Sequence, residues 1–274
     1  MDTIDLHAYL DRIGFGGTPR PDFDTLAGIH RLHSRSIPFE NLNPFLGLPV
    51  LLDAASLQRK LVDGRRGGYC YEHNLLLAEV LSQLGFTVSR LAARVLWNQP
   101  PDSMRPRTHM LLAIDLDGER LLVDGGFGGM TLTAPVRLNV AGAQPTPHER
   151  FRLQHGEIDV LMEAEVGGEW RPLYRFDEQP QQRVDYELTS WYLCHHPDSH
   201  FRHRLIAART RADGRDALVD TVFTRHFLDG RSEREVIGSA SELRATLQSV
   251  FGLSLPEVPR LQARLEEVAA RPPA

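Results

Sequence analysis

The spacing of the apolar residues changes once along this chain, at Gly85. Before it, the segment from Cys70 to Leu84 is apolar on most helical faces, which predicts a central, buried helix closed by the glycine. After it, short runs rich in branched and aromatic residues alternate with Gly, Pro, Asn and Asp, a pattern typical of strands. The chain must therefore combine a helical region with an antiparallel sheet or barrel, which is an α+β fold.

Weaker signals divide the remaining sequence. Pro38 favours extended backbone over residues 37–42, and residues 187–199 are consistent with a loop or a helix. We predict three domains over residues 1–85, 86–185 and 186–274, namely a helical bundle, a β region and an α/β region. The other predicted helices are 4–13, 24–34, 53–63 and 241–250; the predicted strands are 86–97, 108–116, 120–124, 151–164, 170–176, 204–210 and 217–226, with 144–147 as a loop.

Charge and composition exclude several classes of partner. The net charge of −5 provides no positive field for nucleic acid or an anionic membrane, and no apolar run is long enough for a membrane helix. An acidic start and only two cysteines, Cys70 and Cys194, predict a reduced, cytoplasmic protein. Lys60 is the only lysine; we interpret this arginine bias as compositional and derive no function from it.

Cys70 is the strongest candidate for a chemically active residue. It begins the predicted buried helix directly after Gly67 and Gly68. There, unpaired backbone N–H groups and the positive end of the helix dipole stabilise a thiolate. A lone cysteine is usually an inert core residue, so an active thiol needs a base and a group that orients the base.

A predicted hairpin supplies both groups. The Asp-Gly pair at 117–118 favours a two-residue type I′ turn, and this register places His109 opposite Gly126. His109 and Asp124 then share one face as diagonal neighbours, about 7–8 Å apart at Cα, whereas a one-residue slip would separate them. The predicted relay is that Asp124 orients His109, His109 takes the thiol proton, and Cys70 attacks an acyl carbon.

Four separated motifs, in the same order, resemble those of the arylamine N-acetyltransferase family. The resemblance covers about residues 1–205, with weaker similarity at 9–14 and 196–201. The motifs are Ile37-Pro38-Phe39-Glu40-Asn41-Leu42, Arg65-Arg66-Gly67-Gly68-Tyr69-Cys70-Tyr71-Glu72, Thr108-His109 and Val123-Asp124-Gly125-Gly126-Phe127-Gly128.

This resemblance implies a helical bundle, a β-barrel and an α/β lid, in agreement with the three predicted regions. It also implies a ping-pong reaction in which acetyl-CoA acylates Cys70, after which an arylamine, arylhydrazine or hydroxylamine takes the acetyl group. The expected partners are these small molecules and CoA, with no nucleic acid and no membrane. By similarity, the acceptor pocket is lined by Phe39, Tyr71, Val95, Thr108, Phe127 and Phe201.

The glycine-rich segment at 125–129 is the best candidate for contacting CoA. Glycines let a backbone approach a ligand closely and expose N–H groups to phosphate. The segment lacks the lysine and the spacing of a P-loop, so it does not indicate a nucleotide-binding fold. The predicted CoA contacts are Thr108, Gly126, Phe127 and Gly128.

One cluster departs from the family pattern. Cys194, His195, His196, His200 and His203 lie close together in the sequence, and His196 and His200 have the spacing of two zinc ligands on one helix face. Pro197 interrupts that helix, and no second cysteine pair accompanies the cluster, so we predict no metal site.

Other functions stay open on the sequence alone. A macrolactam-forming amide synthase of the same family would share the relay and differ in pocket volume and lid. A cysteine hydrolase or a transglutaminase-like enzyme suits the same Cys–His–Asp order but would admit water to the thioester. A binding protein that retains the scaffold would need none of the three polar residues.

Overall fold

The computed structural model describes residues 3–100 and 103–272 and contains the expected helical, β and α/β regions. Three aspartates begin helices, because Asp5, Asp22 and Asp53 each accept a hydrogen bond from the backbone N–H three residues on, at 2.9–3.0 Å. The helices are α1 Leu6–Ile13, α2 Phe23–Ser36, α3 Leu42–Leu46, α4 Ala54–Leu57 with a π-helical continuation at Gln58–Asp63, α5 Cys70–Gln83, α6 Arg183–His195, α7 His200–His203, α8 Ala240–Ser249 and α9 Pro259–Ala269, with a 3-10 turn at Gly128–Met130.

The strands form two antiparallel sheets. They are β1 Phe39–Glu40, β2 Thr87–Val95, β3 Arg107–Leu116, β4 Glu119–Val123, β5 Val136–Arg137, β6 Gly142–Pro145, β7 Arg150–His155, β8 Val160–Val166, β9 Glu169–Phe176, β10 Ile206–Thr210, β11 Gly214–Val219, β12 Val222–Phe227 and β13 Ser232–Val236. One sheet has the order β5-β4-β3-β2-β9-β8-β7-β6, and the other has the order β1-β10-β11-β12-β13.

The eight-stranded sheet curls into a nearly closed barrel. Its two edge strands, β5 and β6, are joined through one side chain: the Gln144 amide accepts from the Arg137 N–H and donates to the Arg137 carbonyl, both at 2.8 Å. Apolar side chains such as Leu111 and Met162 fill the interior. The predicted barrel is therefore confirmed.

The helix α5 is the buried centre predicted from its apolar sequence. It ends at Gln83, and Gly85 has the left-handed backbone (φ 93°) that the prediction requires. Its core includes Leu112 of β3 and Leu193 of α6 as well as the N-terminal helices. The proposed boundaries at 85/86 and 185/186 stay a prediction. Within the described ranges, no helix is long and apolar enough to cross a membrane.

Two predicted strands are wrong because each contains a turn. Residues 151–164 form β7 and β8, since the Gly156 N–H donates to the Asp159 carbonyl (2.8 Å) and the chain reverses there. Residues 217–226 are likewise divided between β11 and β12 at Asp220, whose φ is 54°. In both segments the few turn residues are flanked by apolar or branched residues, which hid the turns.

Further elements differ from the prediction. Gln144 and Pro145 belong to β6, an edge strand, where the missing proline N–H is tolerated. Leu42 starts helix α3 directly after the extended residues of β1. The helix α9, which starts with Pro259 at its first position and buries Leu261 and Leu265, was not predicted at all.

Candidate active site

Cys70 occupies the first position of α5 and is 5% exposed. Its Sγ lies 3.7 Å from the Thr108 carbonyl oxygen, which puts the thiol against strand β3. The preceding loop is held by close backbone approach, because a Cβ on Gly67 would lie 2.0 Å from the Pro38 carbonyl oxygen. Gly68 also pairs with β1 through its carbonyl, which accepts from the Glu40 N–H at 2.9 Å. A larger residue at Gly67 would displace the nucleophile loop.

The predicted hairpin register is confirmed. Asp117 and Gly118 both have positive φ, as a type I′ turn requires, and Leu112 lies opposite Val123. The ladder ends there, so the expected pairing of His109 with Gly126 does not form. The two predicted side chains nevertheless meet, since His109 Nε2 lies 2.7 Å from Asp124 Oδ2.

Both members of this pair are fully buried, and each shifts the pKa of the other. Burial lowers the pKa of His109, but the Asp124 carboxylate and its hydrogen bond, with a smaller contribution from the Cys70 side chain, outweigh it and raise the pKa to about 10. Burial likewise raises the pKa of Asp124, yet His109, Asn74 and the Gly126 N–H hold it below its usual value. The hydrogen bond with Asp124 uses Nε2 of His109. Nδ1 is therefore the ring nitrogen that is available to Cys70.

Asn74 is a site residue that the sequence reasoning missed. It lies four residues after Cys70, on the same face of α5, and it donates to Asp124 Oδ1 (3.0 Å) and to the Met110 carbonyl (2.6 Å). Its Oδ1 accepts from the Gly125 N–H at 3.1 Å. Asn74 thus fixes the carboxylate relative to the helix that carries the thiol. The i,i+4 spacing from Cys70 is the signal that could have indicated it.

The two glycines after Asp124 serve close packing inside the protein. A Cβ on Gly126 would lie 2.9 Å from Cys70 Cα, and one on Gly125 would lie 2.9 Å from His33 Cδ2. The Gly126 N–H donates to Asp124 Oδ1 at 3.0 Å, and the Phe127 N–H donates to Thr131 Oγ1 at 3.3 Å. Two of the amides expected to meet CoA phosphate are therefore already engaged within the protein.

Aromatic rings surround the thiol and the imidazole. Phe127 and Tyr174 contact the His109 ring, with centroids 5.0 and 5.1 Å away. Tyr174 was not predicted; its position on β9, opposite Val95 of β2, brings it there. A second group of rings follows the Cys70 loop, with centroid distances of 5.6–6.2 Å between neighbours: Tyr69 with Tyr71, Tyr69 with Phe201, and Phe39 with Phe201.

The predicted pocket residues lie on the elements that carry Cys70 and His109 or on their neighbours. A Cβ on Gly128 would lie 3.4 Å from the Phe39 ring, so the glycine segment passes close to the second aromatic group. Thr108 precedes His109 on β3, and Val95 ends β2. The Tyr71 hydroxyl is buried without a hydrogen-bond partner among the described residues.

A second group of buried histidines lies behind the site. His73 Nε2 lies 3.2 Å from the Pro38 carbonyl, His73 Nδ1 lies 2.9 Å from His33 Nε2, and His33 Nδ1 lies 2.9 Å from the Tyr9 hydroxyl. A carbonyl only accepts, so His73 donates to Pro38, His33 donates to His73, and Tyr9 donates to His33. Burial lowers the pKa of His73 and of nearby His30 to about 4, and of His33 well below its usual value.

Two histidines beside Pro197 make local hydrogen bonds. His196 follows α6 and uses its Nδ1 to accept from the Asp198 N–H at 3.2 Å, while His195 Nδ1 lies 2.9 Å from the Trp191 carbonyl. No group of three or more candidate ligands converges in the part of the chain that the structure describes.

A thiol, an imidazole and a buried carboxylate between a helical bundle and a β-barrel are the groups that acyl transfer through a cysteine requires. The family model for N-acetyltransferase matches residues 22–259. The chain belongs to this family. Its particular relatives are arylamine N-acetyltransferases, of which the Mycolicibacterium smegmatis protein is 47% identical over 272 residues, covering 97% of this chain and 98% of that protein.

Solved structures agree with this assignment. A structure of M. smegmatis arylamine N-acetyltransferase superposes with a TM-score of 0.94 at 45% identity, covering 98% of this chain and all of that one. The Mycobacterium marinum arylamine N-acetyltransferase, solved in complex with CoA, gives a TM-score of 0.92 at 42% identity, covering 96% of this chain and 99% of that one.

Proposed function

We propose that this protein is an arylamine N-acetyltransferase that moves an acetyl group from acetyl-CoA to the nitrogen of an arylamine, arylhydrazine or hydroxylamine through a thioester on Cys70. The observation that carries the proposal is that the His109 imidazole, in a buried and aromatic site, is 2.7 Å from Asp124 and has the Cys70 side chain, at the start of α5, as a further partner. The names of the relatives support this chemistry.

The first half-reaction begins with the proton already on His109. Its raised pKa makes it an imidazolium at neutral pH, and the Cys70 sulfur lies beside this positive charge and at the N-terminus of α5. The thiolate attacks the acetyl carbonyl carbon, and the bond from that carbon to the CoA sulfur breaks. His109 gives its proton to the departing CoA thiolate and becomes neutral.

The second half-reaction returns the site to its starting state. The amine nitrogen attacks the thioester carbon, neutral His109 takes a proton from that nitrogen, and the bond from carbon to Cys70 Sγ breaks. Asp124 stays ionised and holds the imidazole throughout. The rings of Phe127 and Tyr174 and the pair Phe39 and Phe201 offer a flat aromatic amine a matching surface.

The CoA contacts are proposed for Thr108, Gly126, Phe127 and Gly128. Gly128 has a φ of 79° and lies in a short 3-10 turn beside Phe39, which places its backbone at the edge of the aromatic group. Because the Gly126 and Phe127 amides are engaged internally, these residues are expected to touch CoA through carbonyl and side-chain surfaces.

The proposed location is the cytoplasm. The mechanism needs a reduced thiol, and Cys70 and Cys194 are both free. The proposed partners are small molecules only, namely acetyl-CoA and the acceptor amine.

Intact-protein mass spectrometry after mixing with acetyl-CoA tests the proposal. Wild type should gain the mass of one acetyl group, and adding an arylhydrazine should remove that mass while acetylated hydrazine accumulates. Cys70→Ala should gain nothing. Cys194→Ala is the matched control and should behave as wild type, because burial raises the pKa of the Cys194 thiol.

Two results would contradict the proposal. An equal acetyl adduct on Cys70→Ala would place the nucleophile elsewhere. Loss of the adduct to water at the same rate with and without the hydrazine would identify a hydrolase instead.

A further inference from the structure

Lys60 lies between two buried carboxylates directly behind the Cys70 loop. Its Nζ is 2.6 Å from Glu72 Oε1 and 3.9 Å from Glu40 Oε1, and the two glutamate side chains are 1% and 0% exposed. Lys60 is also the only lysine among the 31 lysine and arginine residues of the chain. A compositional bias toward arginine explains every other basic position but not this one.

The two carboxylates depend on Lys60 to different degrees. Glu40 has a second cation, since Arg66 donates to its Oε1 through Nε and a terminal nitrogen at 3.0 and 2.7 Å. For Glu72, Lys60 is the cation within ion-pair distance. Burial raises the pKa of Glu72, Lys60 opposes that rise, and Glu40 adds to it.

Glu72 in turn holds the start of α5. Its Oε2 accepts from the Tyr69 N–H at 3.2 Å, so the carboxylate caps the first turn of the helix whose first residue is Cys70. A Cβ on Gly68 would lie 2.7 Å from the same oxygen, so the side chain also packs on the nucleophile loop.

The backbone of Lys60 supports the same loop. Lys60 belongs to the π-helical segment Gln58–Asp63, a distortion that recurs at functional sites, and its carbonyl accepts from the Arg66 N–H at 3.1 Å. An ammonium is a compact charge that can lie between two carboxylates, whereas a guanidinium is a planar fork. This difference explains a lysine here.

We propose that Lys60 is a positioning residue for the thiol: its ammonium holds the Glu72 carboxylate against the Tyr69 N–H and thereby fixes the first turn of α5 and Cys70. Lys60 acts through Glu72 and touches neither the thiol nor the substrates. The assignment rests on the proposed function of Cys70 as the nucleophile.

The rate at which iodoacetamide alkylates Cys70, followed by peptide mass spectrometry from pH 5 to 9, tests the proposal without acetyl-CoA or an amine. Lys60→Met should slow alkylation about tenfold on the acid side of the rate profile, as for a thiolate destabilised by one pKa unit, and should move the whole profile to higher pH. Arg59→Met is the matched control on the same π-helix. Arg59 donates to Ser56 Oγ (2.8 Å), and its loss should leave the profile unchanged.

A rescue variant separates positioning from general support. In the double variant Lys60→Met/Glu72→Gln, the amide oxygen introduced at position 72 can still accept from the Tyr69 N–H and needs no cation, so alkylation should return to within about threefold of wild type. A wild-type profile in Lys60→Met would overturn the proposal. So would a double variant as slow as Lys60→Met, because Lys60 would then not act through Glu72.

Folding and function are read separately. If Lys60→Met does not fold, as judged by circular dichroism, a folded double variant with near-wild-type alkylation supports the proposal, and an unfolded or slow double variant overturns it. Failure of the acetyl-transfer proposal would appear instead as absence of the acetyl adduct on wild type, whatever the alkylation rates show.

Discussion

His109 and the histidines behind the site are all buried, but their pKa values are shifted in opposite directions. His109 is beside Cys70 and Asp124, and its pKa is raised to about 10. His73 is in the chain behind the site, and its pKa is lowered to about 4. Burial acts in the same direction on both. The difference is the carboxylate: Asp124 reverses the effect of burial on His109, while His73 meets a carbonyl and another imidazole.

The comparison shows that position in the core does not decide what a histidine does. In the Tyr9–His33–His73 chain, each donated hydrogen already occupies one acceptor. A further proton on an imidazole would therefore find no free acceptor. In the proposed mechanism, the His109–Asp124 pair holds an extra proton and releases it to the leaving group. The neutral histidines have no step in that mechanism and contribute to stability.

The largest effect is expected when His109 loses the carboxylate that distinguishes it from His73. Asp124→Asn removes the carboxylate, so His109 should lose its proton at neutral pH, as His73 does. We expect the rate of Cys70 acetylation by acetyl-CoA to fall by about 10³–10⁴-fold, measured by mass spectrometry of samples quenched at successive times. Asp115→Asn, on the same hairpin but 45% exposed, is the control and should change little. A rate for Asp124→Asn within fivefold of the control would refute the assigned role.

A smaller effect is expected from acid. A histidine whose folded pKa lies near 4, against 6.5 when unfolded, contributes stability that is complete above pH 6.5 and is lost as the pH falls toward 4. Between pH 7 and pH 5, each such histidine should cost about 2 kcal/mol of unfolding free energy. His109 acts oppositely: its contribution is complete below pH 6.5 and is lost as the pH rises toward 10.

Removing one neutral histidine should flatten this acid dependence. His30→Leu is expected to lose about 2 kcal/mol less than wild type between pH 7 and pH 5, measured by urea unfolding at both values. His7→Leu is the control, because His7 is 89% exposed, and it should follow wild type. Parallel losses in His30→Leu and wild type would show that His30 is not kept neutral by the fold.

The smallest effect is expected at the end of the neutral chain. Tyr9→Phe removes the hydroxyl that donates to His33 Nδ1, leaving one buried acceptor without a donor, and should lower the unfolding free energy by about 1 kcal/mol. Acetylation of Cys70 should not change, since the chain is not part of the relay. Tyr192→Phe, 38% exposed, is the control. An unchanged urea midpoint in Tyr9→Phe would mean that the hydroxyl contributes nothing.

Local patterns predicted the parts of the site that lie on regular elements. The start of α5 and the hairpin register follow from spacing and turn chemistry, and these brought Cys70, His109 and Asp124 to within contact. Asn74 was missed although its i,i+4 spacing from Cys70 was a signal, whereas Tyr174 was missed because it is recognised only through its partner in the folded chain. Lys60 is a similar case, because its proposed role depends on contacts with two glutamates that are distant from one another in the sequence.

Turns and short strands were the weakest part of the fold prediction. In 151–164 and 217–226 the turn residues are few and the flanking residues are apolar or branched, so two strands resemble one long strand. The edge strands β5 and β6 have 2 and 4 residues, too few to show a period. The long apolar segment of α5, by contrast, indicated a buried helix without ambiguity.

The strand β1 has a consequence for how this protein can be divided. Phe39 and Glu40 precede the nucleophile in the sequence, yet they complete the sheet of the C-terminal region by pairing with β10. Asn41 adds to this connection by donating to the Phe201 and Arg204 carbonyls and accepting from the Ile206 N–H. A gene fragment that encodes only residues 186–274 would leave one side of β10 without its partner, an open template for aggregation. The C-terminal region therefore cannot be exchanged between proteins as an independent unit unless residues 39–46 are transferred with it.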